Sequence, residues 1–145
     1  MAAKDKSADE LKAALIGQAN PKHDFSANFT APELDVLVLF LQKGVIDKGP
    51  YITDGKGTGD PTHGKTLFNA ICKVCHGVDG NTINFQADEG GEEFIGNVAN
   101  DNPMEFFNKA SVGQPGEAMP AGLNLGWSLQ DVADVLAYAQ TLPQK

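Results

Sequence analysis

The residues best equipped for chemistry are two cysteines and a histidine within the five positions Cys72-Lys73-Val74-Cys75-His76. Their spacing is C-x-x-C-H, the pattern of covalent c-type haem attachment. Thiols three residues apart near a helix end can reach both vinyl groups of one porphyrin, and the imidazole that follows can supply the proximal iron ligand. Because both cysteines of the chain lie in this motif, the sequence predicts one covalently bound haem c.

The cysteine pair also has three other interpretations. A redox dithiol usually follows a strand and opens a helix, and no strand pattern precedes Cys72. A structural zinc site needs more ligands of this kind, and the chain has no second cysteine pair. A structural disulfide is compatible with the spacing alone, but the adjacent His76 favours haem attachment.

A second axial ligand for the iron must come from another part of the chain. Met119 lies in a long loop before the last predicted helix, and a thioether opposite histidine raises the potential and favours electron transfer over oxygen chemistry. A loop methionine can instead fill a gap in a core. Three residues could compete with it. We expect His63 on the proximal side or in solvent, His23 in solvent or in a structural hydrogen bond, and Met104 in the core beside two phenylalanines.

Helices dominate the elements predicted around these residues, so the predicted fold class is all-α. Capping residues and apolar periodicity predict helices over residues 7–18, 30–43, 60–72, 102–110 and 128–139. The second of these is apolar on nearly all sides and is expected to be well buried.

Three segments are predicted loops, residues 45–60, 77–101 and 113–126. One of the last two directly follows the haem motif and the other precedes the last helix, as expected if a large apolar cofactor fills the centre. We place a domain boundary near Gly59, between an N-terminal helical extension, residues 1–58, and a haem domain, residues 59–145.

Charge limits the partners of the chain. Its 145 residues carry a net charge of −8, and every basic residue is a lysine. This balance argues against nucleic acid, which needs a basic surface. It suits a redox partner with a basic docking patch, because complementary charge accelerates encounter. The charge can also serve solubility alone.

No segment predicts a membrane span, since the most apolar run, residues 36–41, is far shorter than the roughly 20 residues required. No cleavable leader precedes the charged N-terminal segment, so we expect the chain to be a mature form or a form prepared for expression, and the missing leader does not indicate a cytoplasmic location. The sequence leaves the oligomeric state open.

Residues 59–145 resemble class I cytochromes c, in particular the small bacterial ones. That family places a small residue and an aromatic before its haem motif, and here Gly64 and Phe68 stand eight and four residues before Cys72. Val135 and Tyr138 resemble their partners on the last helix. Independently of the family, a glycine lets two helices approach closely and an aromatic pair locks their crossing.

Residues 116–120 resemble the distal-ligand loop of the same family. Trp127 resembles the aromatic that often precedes the last helix and packs near a haem propionate, although it can equally be a core residue. The resemblance implies an all-α fold around haem c, with a partly exposed haem edge near the thioethers. It also implies a periplasmic location in bacteria, because haem attachment takes place outside the cytoplasm. The implied cofactor-binding residues are Cys72, Cys75, His76, Met119, Phe68 and Trp127, of which His76 and Met119 bind the iron.

The resulting hypothesis is an electron carrier, not an enzyme, which shuttles single electrons between redox proteins. Two alternatives stay open. One is a cytochrome subunit or domain of a larger oxidoreductase. The other is a haem enzyme or gas-binding protein, which requires an open sixth position on the iron and therefore a Met119 that does not bind it.

The N-terminal extension contains a helix that resembles the last helix of the chain. Residues 30–41 and 128–139 share a hydroxyl cap, an acid three residues later and an apolar run, with Phe40 matching Tyr138. The likeness suggests the remnant or the tail of a second cytochrome c unit without a haem motif. The simpler interpretation is that many amphipathic helices look alike.

Overall fold

The computed structural model describes residues 3–144, and the chain divides into two compact units between Asp47 and Lys48. The described residues are mostly helical, with one two-stranded hairpin, as the predicted all-α class requires. No helix among residues 3–144 is both long and apolar enough to cross a membrane.

The first unit is built on two helices, α1 (Ala8–Leu15) and α2 (Ala31–Lys43). Short 3-10 turns lie at Ala3–Asp5 and Pro21–His23. Ser7 and Glu10 form the predicted capping box of α1. That helix ends earlier than predicted because Gly17 adopts a φ of +78°, which breaks the helical path.

Helix α2 is much less buried than its sequence predicts. Only Leu34 and Val38 are buried among its residues, whereas Val36, Leu39 and Phe40 are 67%, 52% and 53% exposed. The prediction of a well-buried helix is therefore wrong. The physical reason is that the unit offers few elements to cover a helix that is apolar on several sides.

The second unit begins with a hairpin inside the segment predicted as a loop. Strand β1 (Ile52–Thr53) pairs antiparallel with β2 (Lys56–Gly57). The turn residues between them, at positions 54 and 55, have φ values of +50° and +75°, as an Asp-Gly hairpin turn requires. The ring of Tyr51 stacks on Phe107 with centroids 5.5 Å apart. This segment thus belongs to the second unit, which begins before the boundary placed near Gly59.

The rest of the second unit is helical. Its α-helices are α3 (Pro61–Leu67), α4 (Lys73–His76), α5 (Ile95–Asp101), α6 (Pro103–Val112) and α7 (Leu129–Ala139). A π-helix, Phe68–Cys72, joins α3 to α4, and 3-10 turns lie at Ala87–Glu89 and Gly122–Leu125. The predicted caps Asp60, Asn102 and Ser128 each accept a backbone N–H of the helix that follows.

The crossing of α3 and α7 is the centre of the second unit. Gly64 is buried there, and a Cβ atom at this position would overlap the backbone of Asp134. Phe68 is fully buried and meets Tyr138 edge-on, with ring centroids 5.3 Å apart. The predicted close approach and the predicted aromatic pair are both confirmed.

Helix α5 lies in the segment predicted as a loop. Its glycine and asparagines are poor helix formers, so intrinsic helix propensity does not predict this helix. Tertiary contacts stabilise it instead: Gly96 packs against the backbone of Leu142 and Pro143, and Asn100 Nδ2 donates to the carbonyl oxygen of Gln140 at 3.2 Å. Ile95 and Ala99 complete its buried face.

Candidate haem site

A cavity of about 400 Å³ opens within the second unit. Its walls are mostly apolar and come from several separate segments of the chain, including α5, α6, α7 and the loops between the helices. They include Ile71, Ile83, Phe85, Ile95, Phe106 and Leu125. A large apolar cavity with a few convergent polar groups is the usual form of a cofactor site.

The haem motif enters this cavity from the junction of the π-helix and α4. Cys72, Cys75 and His76 all line it. The π-turn that delivers Cys72 is a feature that occurs frequently at functional sites. Gly77, with φ at +78°, ends α4 directly after the histidine and turns the chain away. The two cysteines form no disulfide with each other; Cys72 is partly buried and Cys75 is exposed.

Met119 reaches the same cavity from the loop between α6 and α7. Its side chain is partly buried. Gly113 opens this loop with a φ of +75°, and a Cβ atom there would lie 2.8 Å from the carbonyl oxygen of Met119. The close approach of the loop to its own start therefore depends on a glycine. The fold brings together His76 and Met119, which lie far apart in the sequence.

The two aromatic residues predicted to bind the cofactor have different positions. Trp127 lines the cavity, and its ring covers Gly122, where a Cβ atom would lie 2.6 Å from Trp127 Cε3. Phe68 is not among the lining residues; its ring packs against Tyr138 at the helix crossing. Its contribution to the site is therefore to hold α3 against α7.

None of the three competing ligands is among the residues that line the cavity. His63 is half exposed and pairs with Asp134, and His23 is exposed and stacks on Phe25. Met104 is 49% exposed, so the prediction that it lies in the core is wrong. The neighbouring Phe106 and Phe107 take the buried face of α6, which leaves Met104 on the outer face.

Sequence reasoning assigned no role to several residues that the loops contribute, although Glu117 lies within residues 116–120, which resemble the distal-ligand loop. Phe85 meets the imidazole of His76 edge-on, with centroids 6.0 Å apart. Gln114 and Glu117 add polar atoms to the wall near Met119. Their local sequence carries no periodic pattern, and the one available signal was the presence of apolar residues in a loop close to the motif.

A family model described as cytochrome c matches residues 61–143. The chain belongs to the cytochrome c family. No curated protein and no solved structure matches it. As a cytochrome c it is a haem-binding electron carrier, and its cofactor is a covalently bound haem c with iron.

The residues of this cytochrome c fit that cofactor. Burial raises the pKa of the Cys72 thiol to about 11, so this cysteine lacks the depressed pKa of a catalytic redox dithiol. Burial also lowers the pKa of His76, which favours the neutral imidazole that a metal requires. Its Nδ1 atom is buried without a hydrogen-bond partner in the described residues. The donor set and the apolar wall are those expected of a haem pocket.

Proposed function

We propose that this cytochrome c is a periplasmic carrier of single electrons, with one haem c attached through Cys72 and Cys75 and bound by His76 and Met119. One observation carries the proposal: these four side chains, from two distant segments, line a single mostly apolar cavity. The haem supplies reversible one-electron exchange between ferrous and ferric iron. The chain supplies attachment, ligands and exclusion of water.

The haem motif has two duties in this proposal. Cys72 and Cys75 would hold the porphyrin through thioether bonds, so that the cofactor would stay bound in both oxidation states. His76 would supply an imidazole nitrogen to the iron, and burial lowers the pKa of its ring, which favours the neutral form. Phe85 packs against the same ring and limits its orientation.

Met119 decides between electron transfer and oxygen chemistry. A thioether in the sixth position blocks the approach of small ligands and raises the potential. A six-coordinate site that changes little between oxidation states suits a carrier and not an enzyme. The haem enzyme or gas-binding alternative requires that Met119 leave this position open.

The surface around the motif supports docking of redox partners. Val74 and Val78 flank the iron-binding histidine and are 81% and 60% exposed. Exposed apolar side chains beside the attachment cysteines can pack against a partner protein, and the net charge of −8 favours partners with basic docking surfaces. A covalently attached haem supports the proposed periplasmic location, and fractionation of the native host tests it.

The deciding experiment is the oxidised visible spectrum of the wild type, Met119→Ala and Met104→Ala. We expect the weak long-wavelength sulfur-to-iron band in the wild type, its loss in Met119→Ala, and its retention in Met104→Ala, because Met104 lies outside the cavity lining. A wild type without the band contradicts methionine ligation. A low-spin spectrum would then indicate a second histidine, and a high-spin spectrum that binds carbon monoxide would indicate an enzyme or sensor.

A second candidate is a cytochrome subunit of a larger oxidoreductase. The exposed apolar residues of α2, Val36, Leu39 and Phe40, favour it, because such patches often mark protein contacts. Gel filtration of the native protein separates the two. A monomer that exchanges electrons in solution supports the carrier, and a stable assembly with other chains supports the subunit.

A further inference from the structure

A second cluster of ligand-type side chains lies where α3 and α7 cross. His63, Asp131 and Asp134 each offer an atom there, and these atoms all lie within 4.8 Å of one another. His63 Nδ1 lies 2.7 Å from Asp134 Oδ2 and 3.7 Å from Asp131 Oδ1. None of the three lines the haem cavity.

The fold holds Asp134 by one oxygen and leaves the other for the imidazole. Oδ1 accepts the backbone N–H of Asp60 at 2.8 Å and the amide of Gln130 at 3.0 Å. Oδ2 faces His63. The residue is 5% exposed, so these bonds determine its orientation.

The two carboxylate oxygens of Asp131 also have different partners. Oδ2 accepts both the backbone N–H and the hydroxyl of Ser128, each at 2.7 Å, as part of the capping box of α7. Oδ1 is the atom turned toward His63. Two carboxylates are thus anchored by the fold, and their other oxygens converge on one nitrogen.

The helix crossing sets this convergence. Asp131 and Asp134 are three residues apart on α7 and so share a face of that helix. Gly64 permits direct contact between the backbones of α3 and α7, which brings the adjacent His63 against that face. Two packed helices therefore position the three side chains, and none of the three comes from a loop.

We propose that His63, Asp131 and Asp134 form a binding site for a divalent transition-metal ion of the zinc class, separate from the haem. A zinc–ligand bond of about 2.1 Å in tetrahedral geometry sets neighbouring ligand atoms about 3.4 Å apart. The 3.7 Å separation from Asp131 is close to that value, and the 2.7 Å hydrogen bond to Asp134 would lengthen by about 0.7 Å for both atoms to bind one ion. One imidazole nitrogen and two carboxylates suit this ion class, and water completes the coordination.

The charges around His63 support a cation at this position. Its hydrogen bond with Asp134 raises the pKa of the imidazole, and the charges of Asp134, Asp131 and Asp60 act in the same direction. A negative field that attracts a proton also attracts a dication. The ion would take the place of that proton, so its binding strengthens as His63 loses its proton.

Zinc titration of the chelator-treated holoprotein by calorimetry tests the proposal. We expect the wild type to bind a single Zn²⁺, and His63→Gln and Asp131→Asn to weaken binding at least about tenfold, since even indirect metal-site residues cost that much. Mg²⁺ should not bind, because it prefers an all-oxygen shell. The matched controls are His23→Gln and Asp88→Asn, which remove the same groups from exposed positions elsewhere.

Two results would overturn the site: a wild type without stoichiometric zinc binding, in which the cluster is an ion pair alone, or binding that His63→Gln leaves intact. An unchanged haem spectrum verifies that each variant is folded. Thermal unfolding gives a second readout. Zn²⁺ should raise the midpoint of the wild type and both controls, but not that of His63→Gln.

Discussion

Helices α2 and α7 begin in the same way and end in different environments. In α2 the backbone N–H of Thr30 donates to Glu33 Oε2 at 2.7 Å, and in α7 that of Ser128 donates to Asp131 Oδ2 at 2.7 Å. Each helix continues with an apolar run. The likeness predicted between these segments is therefore present in their local structure.

Burial separates the two helices. The residues of α7 that are buried are Val132, Ala133, Asp134, Val135, Leu136 and Ala139. In α2 the buried residues are Leu34 and Val38 alone. Tyr138 packs on Phe68, whereas the matching Phe40 is 53% exposed. Apolar content gives a helix the capacity to be buried, but the elements that cover it decide whether it is.

The largest difference in the cost of a substitution should follow from adding one methyl group to a glycine that contacts each helix: Gly64 of α3, which packs against α7, and Gly44, which follows α2. Gly64→Ala places a Cβ atom against the backbone of Asp134, which cannot rotate away. We expect a loss of about 4–5 kcal/mol in unfolding free energy, the exceptional end of single substitutions. Gly44→Ala, at the end of α2, meets the exposed ring of Phe40, which can move. Denaturant unfolding of both variants tests this, and equal losses would contradict it.

Leucine truncation should give the next largest difference. Leu136 is fully buried in α7, and its replacement by alanine should cost about 3 kcal/mol, within the range of core cavities. Leu39 of α2 is 52% exposed, and Leu39→Ala should change the unfolding free energy by less than about 0.5 kcal/mol. Unfolding followed by far-ultraviolet circular dichroism measures both. A large loss in Leu39→Ala would indicate that another chain covers α2.

Glutamines near the ends of the two helices offer a smaller test. Gln140 accepts the N–H of Gly57 at 3.0 Å and donates to the carbonyls of Gly55 and Ala99. Gln140→Ala should cost about 1–3 kcal/mol and accelerate amide exchange at Gly57, because the hairpin loses its anchor. Gln42 of α2 donates to the carbonyl oxygen of Lys6 at 3.0 Å, its one side-chain hydrogen bond to the described residues.

Gln42→Ala should therefore cost no more than about 1.5 kcal/mol and leave exchange at Gly57 unchanged. Unchanged exchange at Gly57 in Gln140→Ala would show that Tyr51 and its stacking on Phe107 hold the hairpin without the glutamine.

The capping residues predicted where several helices begin, because they act locally. Elements that depend on long-range contacts could not be predicted in this way. The caps at Asp60, Asn102 and Ser128 were readable because each side chain acts on the next turn of its own chain. Helix α5 was missed because Gly96 and Asn100 receive their stabilisation from residues about 40 positions away. The hairpin was missed since its two-residue strands carry no alternation to detect.

The haem site and the proposed metal site show the same contrast between local signals and long-range contacts. The haem motif could be read because its ligands are adjacent, whereas Phe85 reaches His76 through an irregular loop. The metal cluster was not predicted, although its signal was present. Gly64 and Val135 were paired across the crossing from the sequence, and their chain neighbours are His63 and Asp134. Extending that pairing by one residue places a carboxylate beside an imidazole.

The smallest expected difference is in how stability depends on pH. Helix α7 contacts α3 through His63 and Asp134, which both change protonation state with pH. The hydrogen bond to Asp134 raises the pKa of His63 above 6.5, so its contribution to stability is complete below pH 6.5 and is lost as pH rises through the raised value. Burial acts to raise the pKa of Asp134, but the bonds from His63, Gln130 and Asp60 lower it below 3.8. That contribution is present above pH 3.8 and is lost at lower pH.

Metal-free wild type should therefore be most stable between about pH 4 and 6.5 with respect to this pair, and its advantage over His63→Gln should shrink toward pH 9. Unfolding free energies of both proteins across this range measure the effect. The exposed pair of α1 and α2, Lys12 and Asp35 at 2.6 Å, provides the contrast. Asp35→Asn should change stability little at any pH, because exposed ion pairs contribute little. A constant gap between wild type and His63→Gln would show that packing of the ring, and not its proton, joins α3 to α7.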